Sequence, residues 1–106
     1  MNRMDALIAQ RRRSRHAMAS TAAAAFVAAA RDHGIAVTLV GSLARGDFGS
    51  HSDVDVLVDG PQDRQARCLL ERLAAGCFRQ PGLDYDLIFA EDLTADRVQE
   101  FLHDAV

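Results

Sequence analysis

The stretch Ser52-Asp53-Val54-Asp55-Val56-Leu57-Val58 constrains this chain more than any other. Its β-branched residues predict a strand over Val54 to Val58. Side chains alternate across a strand, so Asp53 and Asp55 share one face about 7 Å apart, while Val54, Val56 and Val58 share the other. One face can enter a core; the other carries two carboxylates that repel each other. A structural strand gains nothing from that repulsion, whereas a divalent cation takes hard, anionic oxygens as its ligands.

A second strand, Ile35 to Val40, ends at Gly41-Ser42. The segment from Gly41 to His51 is dense in Gly and Ser and reads as a loop with room for a helical turn. Glycine lets the backbone approach a ligand closely, and a serine hydroxyl with free amides at a helical turn suits a phosphate. A phosphate cradle one loop away from a metal-binding carboxylate pair is what nucleotidyl transfer from a metal–nucleotide complex requires. Magnesium commonly takes one or two carboxylates plus substrate phosphates. Two such ions, about 4 Å apart, would stabilise the attacking and leaving oxygens of an in-line displacement.

The remaining elements frame this centre. Residues 4 to 31 read as a helix, with a possible break near Ser14; Leu7, Ile8, Met18, Ala22, Phe26, Ala29 and Ala30 can share an apolar side, and Gly34 is a natural stop. Asp63 to Ala75 reads as a helix that carries Leu69, Leu70 and Leu73 and ends at Gly76. Leu83 to Phe89 is a third strand, and Thr94 caps a last helix with Val98, Phe101 and Leu102. The expected order is α-β-β-α-β-α, an α+β fold with residues 1–106 as a single domain. No segment is long and apolar enough to span a membrane.

Composition narrows the chemistry. All twelve basic residues are arginine, which excludes a Schiff-base lysine and the phosphate-binding lysine of a Walker A loop. A net charge of −3 gives no support to nucleic-acid binding through a basic surface. Cys68 and Cys77 read as reduced thiols of a cytoplasmic protein. Arg11, Arg12, Arg13 and Arg15 precede an alanine-rich run and superficially resemble an export signal. The run is too weakly apolar for one and leads directly into a strand, so a folded helix is the expectation. Its arginines form a solvated face or a dock for an acidic partner.

The residues from Gly41 to Asp55 resemble the signature of the polymerase-beta-type nucleotidyltransferase superfamily: Gly-Ser, about ten residues, then Asp-x-Asp. Ala44-Arg45-Gly46-Asp47 and Ser52-Asp53-Val54-Asp55 look like those of its short branch, the minimal nucleotidyltransferases. The resemblance implies that Ser42 contacts the terminal phosphates of the nucleotide, that Gly41 permits the approach, and that Asp53 and Asp55 bind metal. It also implies that superfamily's fold, a small mixed sheet packed on helices, and a third carboxylate on a later strand. Asp84 and Asp86 both offer one; Asp86 fits better, because Leu87-Ile88-Phe89 follows it as Val56-Leu57-Val58 follows Asp55. Its implied role is to hold the catalytic ion and to position or deprotonate the acceptor hydroxyl. Arg45 either meets a phosphate or pairs with Asp47. His51 and Asp84 are read as solvent-facing, and Tyr85 as core.

Members of that branch resemble antitoxins encoded beside helical HEPN-type ribonuclease toxins, some of which they silence by transferring AMP from ATP to a tyrosine. The resemblance therefore implies a magnesium-dependent enzyme, with ATP as substrate and a helical toxin as partner. Two other readings stay open at this point. The chain neutralises its partner by contact alone, or it modifies a small molecule such as an aminoglycoside.

Overall fold

The computed structural model describes residues 2–103 and Ala105. Helix α1 runs unbroken over Arg3–Asp32. The Asn2 side chain accepts the Asp5 N–H at 2.8 Å, and Asp5 and Arg31 complement the helix dipole at either end. The break considered at Ser14 does not occur: its neighbours are strong helix formers, and its side chain is exposed. Gly34, at φ +75°, closes the helix by donating to Arg31 O at 2.8 Å.

Only part of the expected apolar side of α1 reaches the core. Ala19, Ala22, Ala23, Phe26 and Ala30 are buried, whereas Leu7, Ile8 and Met18 are exposed. Met18, next to the buried Ala19, simply faces away from the core; for Leu7 and Ile8 the reason is length. Thirty helical residues span about 45 Å, against about 17 Å for a five-residue strand, so the first turns of α1 extend past the sheet.

The sheet has three strands: β1 (Val37–Val40), β2 (Val54–Val58) and β3 (Tyr85–Phe89), in the order β1-β2-β3. β1 and β2 are antiparallel, and β2 and β3 are parallel. A parallel pair needs a crossover, which α3 (Arg64–Phe78) supplies. A short helix, α2 (Gly41–Arg45), fills the place of the expected helical turn; a 3-10 turn at Ala90–Asp92 and α4 (Ala95–His103) follow β3. Thr94 Oγ1 accepts from Arg97 N–H at 3.2 Å, the expected cap. The small α+β architecture with a mixed sheet is thus as the sequence predicts.

Three boundaries differ most from expectation. The strands begin later, at Val37 and Tyr85, and the buried Ile35 and Leu83 serve as core residues ahead of them. Helix α3 continues through Gly76 to Phe78. A glycine inside a helix costs about 1 kcal/mol, whereas burying a phenylalanine side chain is worth about 1.5–3 kcal/mol. Phe78 is fully buried, and its burial outweighs the glycine.

Strand alternation sorts the sheet into two faces. Val37 and Leu39, Val54, Val56 and Val58, and Tyr85, Leu87 and Phe89 belong to the core cluster with α1 and α3. Phe78 links the layers, with its ring 5.7 Å from that of Phe26 and 5.3 Å from that of Tyr85. On the outside, Arg67 bonds Asp92 at 2.8 and 2.9 Å and also Glu91, and its guanidinium lies 4.1 Å from the Phe89 ring centroid. The hydrogen bond from Arg67 holds the Asp92 carboxyl below its ordinary range. No helix among the described residues is long and apolar enough to cross a membrane.

Because Phe78 joins both helices to the sheet, Phe78→Ala should lower unfolding free energy by about 3–5 kcal/mol, the usual cost of such a cavity. Urea denaturation measures it. A loss below about 1 kcal/mol would show that the stack is not central to the core.

Candidate active site

The site is set by what strand alternation leaves on the other face. Asp55 stands opposite Val40 on β1, and in parallel register with Asp86 on β3. Gly41 follows Val40 directly, so β1 ends where the carboxylates of β2 and β3 begin. Asp53 lies just before β2 and is exposed, Asp55 is half-buried, and Asp86 is exposed. Asp84 lies two residues earlier, just before β3, where its backbone oxygen accepts from Val54 N–H at 2.9 Å. Of the two aspartates on β3 or just before it, Asp86 is therefore the one level with Asp55.

The position of Gly41 admits no side chain. Its φ is +72°, and an added Cβ would run into Asp55 Oδ2. Both the backbone turn and the carboxylate packed on it require glycine. The next residue, Ser42, is half-buried at the start of α2, and its carbonyl accepts from Gly46 N–H and Asp47 N–H, both at 3.0 Å. Leu43 anchors α2 in the core. Arg45 Nε lies 3.5 Å from Asp47 Oδ1, the ion pair considered from sequence.

Burial is the main cause that pushes the Asp55 carboxyl above its ordinary value of 3.8, and the charges of Asp86 and then Asp53 add to it. Arg45 acts in the opposite direction and favours the ionised form. Asp55 thus senses Asp86 and Asp53 as like charges, with the Arg45 guanidinium moderating them. Among the described residues, no three His, Cys, Asp or Glu side chains converge closely enough to hold a metal unaided. The donor set nonetheless suits a hard divalent cation, whose charge relieves the repulsion and which completes its shell with phosphate and water oxygens.

One contributor was not singled out from sequence. Phe48 is only 2% exposed and packs into the core from the middle of the Gly- and Ser-rich loop. An aromatic residue inside a segment otherwise built of small and polar residues was the available signal. His51 is exposed, and Tyr85 packs against Phe78 while its hydroxyl donates to Glu71 at 3.3 Å.

Two outcomes follow from this geometry. Gly41→Ala should destabilise the fold by about 1–3 kcal/mol through backbone strain and displace the Asp55 carboxylate, measurable by denaturation and by loss of divalent-ion binding. The second concerns pH. The folded-state pKa of Asp55 is raised, so its stabilising contribution is complete below the ordinary value of 3.8 and is lost as pH rises through the folded value. In chelator, Asp55→Asn should melt a few degrees above the wild type near neutral pH, with the gap closing as pH falls towards about 4. Circular-dichroism melts across that range check it; a gap that widens in acid would contradict the assigned sign.

Comparison with known proteins places the chain. The family model described as a nucleotidyltransferase domain matches residues 25–105, which include α2, all three strands and Asp53, Asp55, Asp84 and Asp86. Neither the curated proteins nor the solved structures compared with it contain a significant match. With the match spanning most of its length, the chain belongs to the nucleotidyltransferase domain family, within the polymerase-beta-like superfamily.

Proposed function

We propose that the chain is a magnesium-dependent transferase that moves AMP from ATP to a hydroxyl group of a partner protein. The observation that carries this reading is the register that sets Asp55 level with Asp86, with Asp53 two residues before it and Asp55 packed on a glycine that has no room for a side chain. In this reading the three aspartates hold the metal. A bound divalent ion would neutralise charge that develops on the transferred phosphate.

The chain's own groups have distinct tasks. Gly41 and Ser42 admit and bond the terminal phosphates, and Arg45 adds a positive charge beside them. Asp86, exposed at the start of β3, accepts the proton of the acceptor hydroxyl. The acceptor oxygen then forms its bond to the α-phosphorus as the bond to pyrophosphate breaks, and pyrophosphate leaves. Asp55 is held more firmly than the other two by burial, which makes it the fixed point of the trio.

The partner belongs to the reading as well. The likeness of Gly41 to Asp55 to the minimal branch supports an antitoxin that silences a helical HEPN-type toxin by AMP transfer. Cys68 and Cys77 are unpaired, in keeping with a cytoplasmic setting.

The test is transfer of labelled AMP in the presence of magnesium and the helical protein encoded nearby. Asp53→Asn and Asp86→Asn should each lower transfer at least about a hundredfold, and Asp84→Asn should leave it within about threefold. Calorimetry should show that Asp86→Asn keeps much of the nucleotide affinity, because Ser42 and the other two aspartates remain. If an Asp53→Asn, Asp55→Asn double variant still neutralises the partner fully, inhibition by contact replaces transfer as the function. Labelling of a small hydroxylated molecule in place of any protein would keep the chemistry and reject the toxin partner.

A further inference from the structure

Asp53 differs from the other two carboxylates in how it is held. It is not on a strand; it ends the loop that leaves α2, where residues 46 to 53 have neither helix nor strand. From the β3 side it is tied down by its neighbour, since Val54 N–H donates to Asp84 O at 2.9 Å. Within the loop, Gly49 N–H donates to Ser52 Oγ at 2.8 Å and Ser52 N–H to Gly49 O at 3.3 Å. Those bonds shape the turn but do not fix it to the rest of the molecule.

Among the described residues, Arg15 ties α1 to the loop in two ways. Its Nη2 donates to Ser52 O at 3.3 Å, on the residue immediately before Asp53. Its guanidinium carbon lies 5.6 Å from the centroid of the Phe48 ring, within range for a cation–π contact. The same side chain therefore grips the loop at its buried anchor and at its last residue before the carboxylate. Arginine stays charged at any working pH and offers donors in a rigid fork, which suits a permanent clamp.

We infer that Arg15 is a positioning residue: it clamps the 46–52 loop and so sets where the Asp53 carboxylate stands relative to Asp55. The inference rests on the reading of Asp53 and Asp55 as metal-binding groups. Arg15 lies outside the matched stretch of residues 25–105, so nothing in the family match assigns it. A purely stabilising role fits less well. The Nε atom of Arg15 is buried and finds no acceptor among the described residues, and a buried donor without an acceptor detracts from stability. Placement of the loop, not strength of the fold, is what this arrangement supplies.

The experiment compares the wild type with Arg15→Met, which keeps the apolar stem over Phe48, and Arg15→Lys, which keeps the charge and one donor. Titrations of ATP by calorimetry, at a series of magnesium concentrations, read the site. Hydrogen exchange reads the loop, and thermal melting in chelator reads the fold. Arg15→Met should raise the magnesium needed for half-maximal nucleotide binding about tenfold and speed exchange across residues 47–53. The exchange of β2 and the melting temperature should stay near wild type. Arg15→Lys should recover part of the magnesium response. If the wild type and both variants titrate together, Arg15 has no positioning role and the inference fails while the metal-site reading stands. If Arg15→Met loses exchange protection across α1 and β2 as well, the residue is structural and the inference also fails. Should the wild type bind no nucleotide with magnesium, the metal-site reading itself fails and takes the inference with it.

Discussion

Like charges on one face of a small sheet are the constraint on which the rest of this structure depends. Asp55 and Asp86 occupy the face opposite the valines, Asp53 stands just before it, and the repulsion that Asp55 feels from the other two is a cost of the metal-free protein wherever Asp55 is ionised. A three-stranded sheet has only two faces, and the carboxylate face adds only the buried Val40 and Leu57 to the apolar contact on the helical side. The side chains that meet there follow from this. Four buried alanines let α1 lie close to its neighbours, and Phe78, seated between Phe26 and Tyr85, fills the space between α1, α3 and β3. The core tolerates the carboxylates because the two groups sit on opposite sides of the same strands.

Register then turns a set of acidic residues into a centre. The parallel pairing of β2 with β3 brings Asp86 beside Asp55, and the antiparallel pairing of β1 with β2 brings Gly41 to the same level. A slip of one residue in either pairing would send one carboxylate into the core. The valines at 54, 56 and 58, all fully buried, oppose any such slip, because it would expose them. Core packing thereby protects the site's geometry without touching it. Gly41 works in the same direction at shorter range: its missing side chain is the space in which the Asp55 carboxyl lies.

Much of this was legible in the sequence, for reasons particular residues make plain. Asp53-Val54-Asp55-Val56 declares its two faces through alternation alone, and the structure keeps the strand over Val54–Val58 as read. The strands and the helix between β2 and β3 followed from β-branched runs and turn residues, and the mixed sheet from the family resemblance. The ends of elements were less legible. Gly76 looks like a helix stop and is not one, because Phe78, two residues on, needs the helix to carry it into the core. Leu7 and Ile8 look like core and are exposed, because periodicity reports which residues share a side and not how far the neighbouring sheet extends. The proximity of Asp86 to Asp55 could be guessed from the matching apolar tails that follow each, but only register establishes which residues stand level. The contact between Arg15 and Ser52, 37 residues apart, has no local signal at all.

That last contact shows how one long helix serves two ends. The later part of α1 presents alanines and Phe26 to the core, and its position is fixed there by burial. A helix is stiff over this length, so fixing one end also fixes the other, and Arg15 is delivered to the loop with little freedom of its own. A loop that must place a carboxylate near another cannot depend on its own hydrogen bonds, because glycine- and serine-rich backbone has many conformations of similar energy. Tying it to a rigid element removes that freedom before any ligand arrives, so the ordering cost is met during folding and is not charged to binding. On this argument the precision of the loop's placement derives from the alanine-rich packing of α1 several turns away, and the core and the site are mechanically one system.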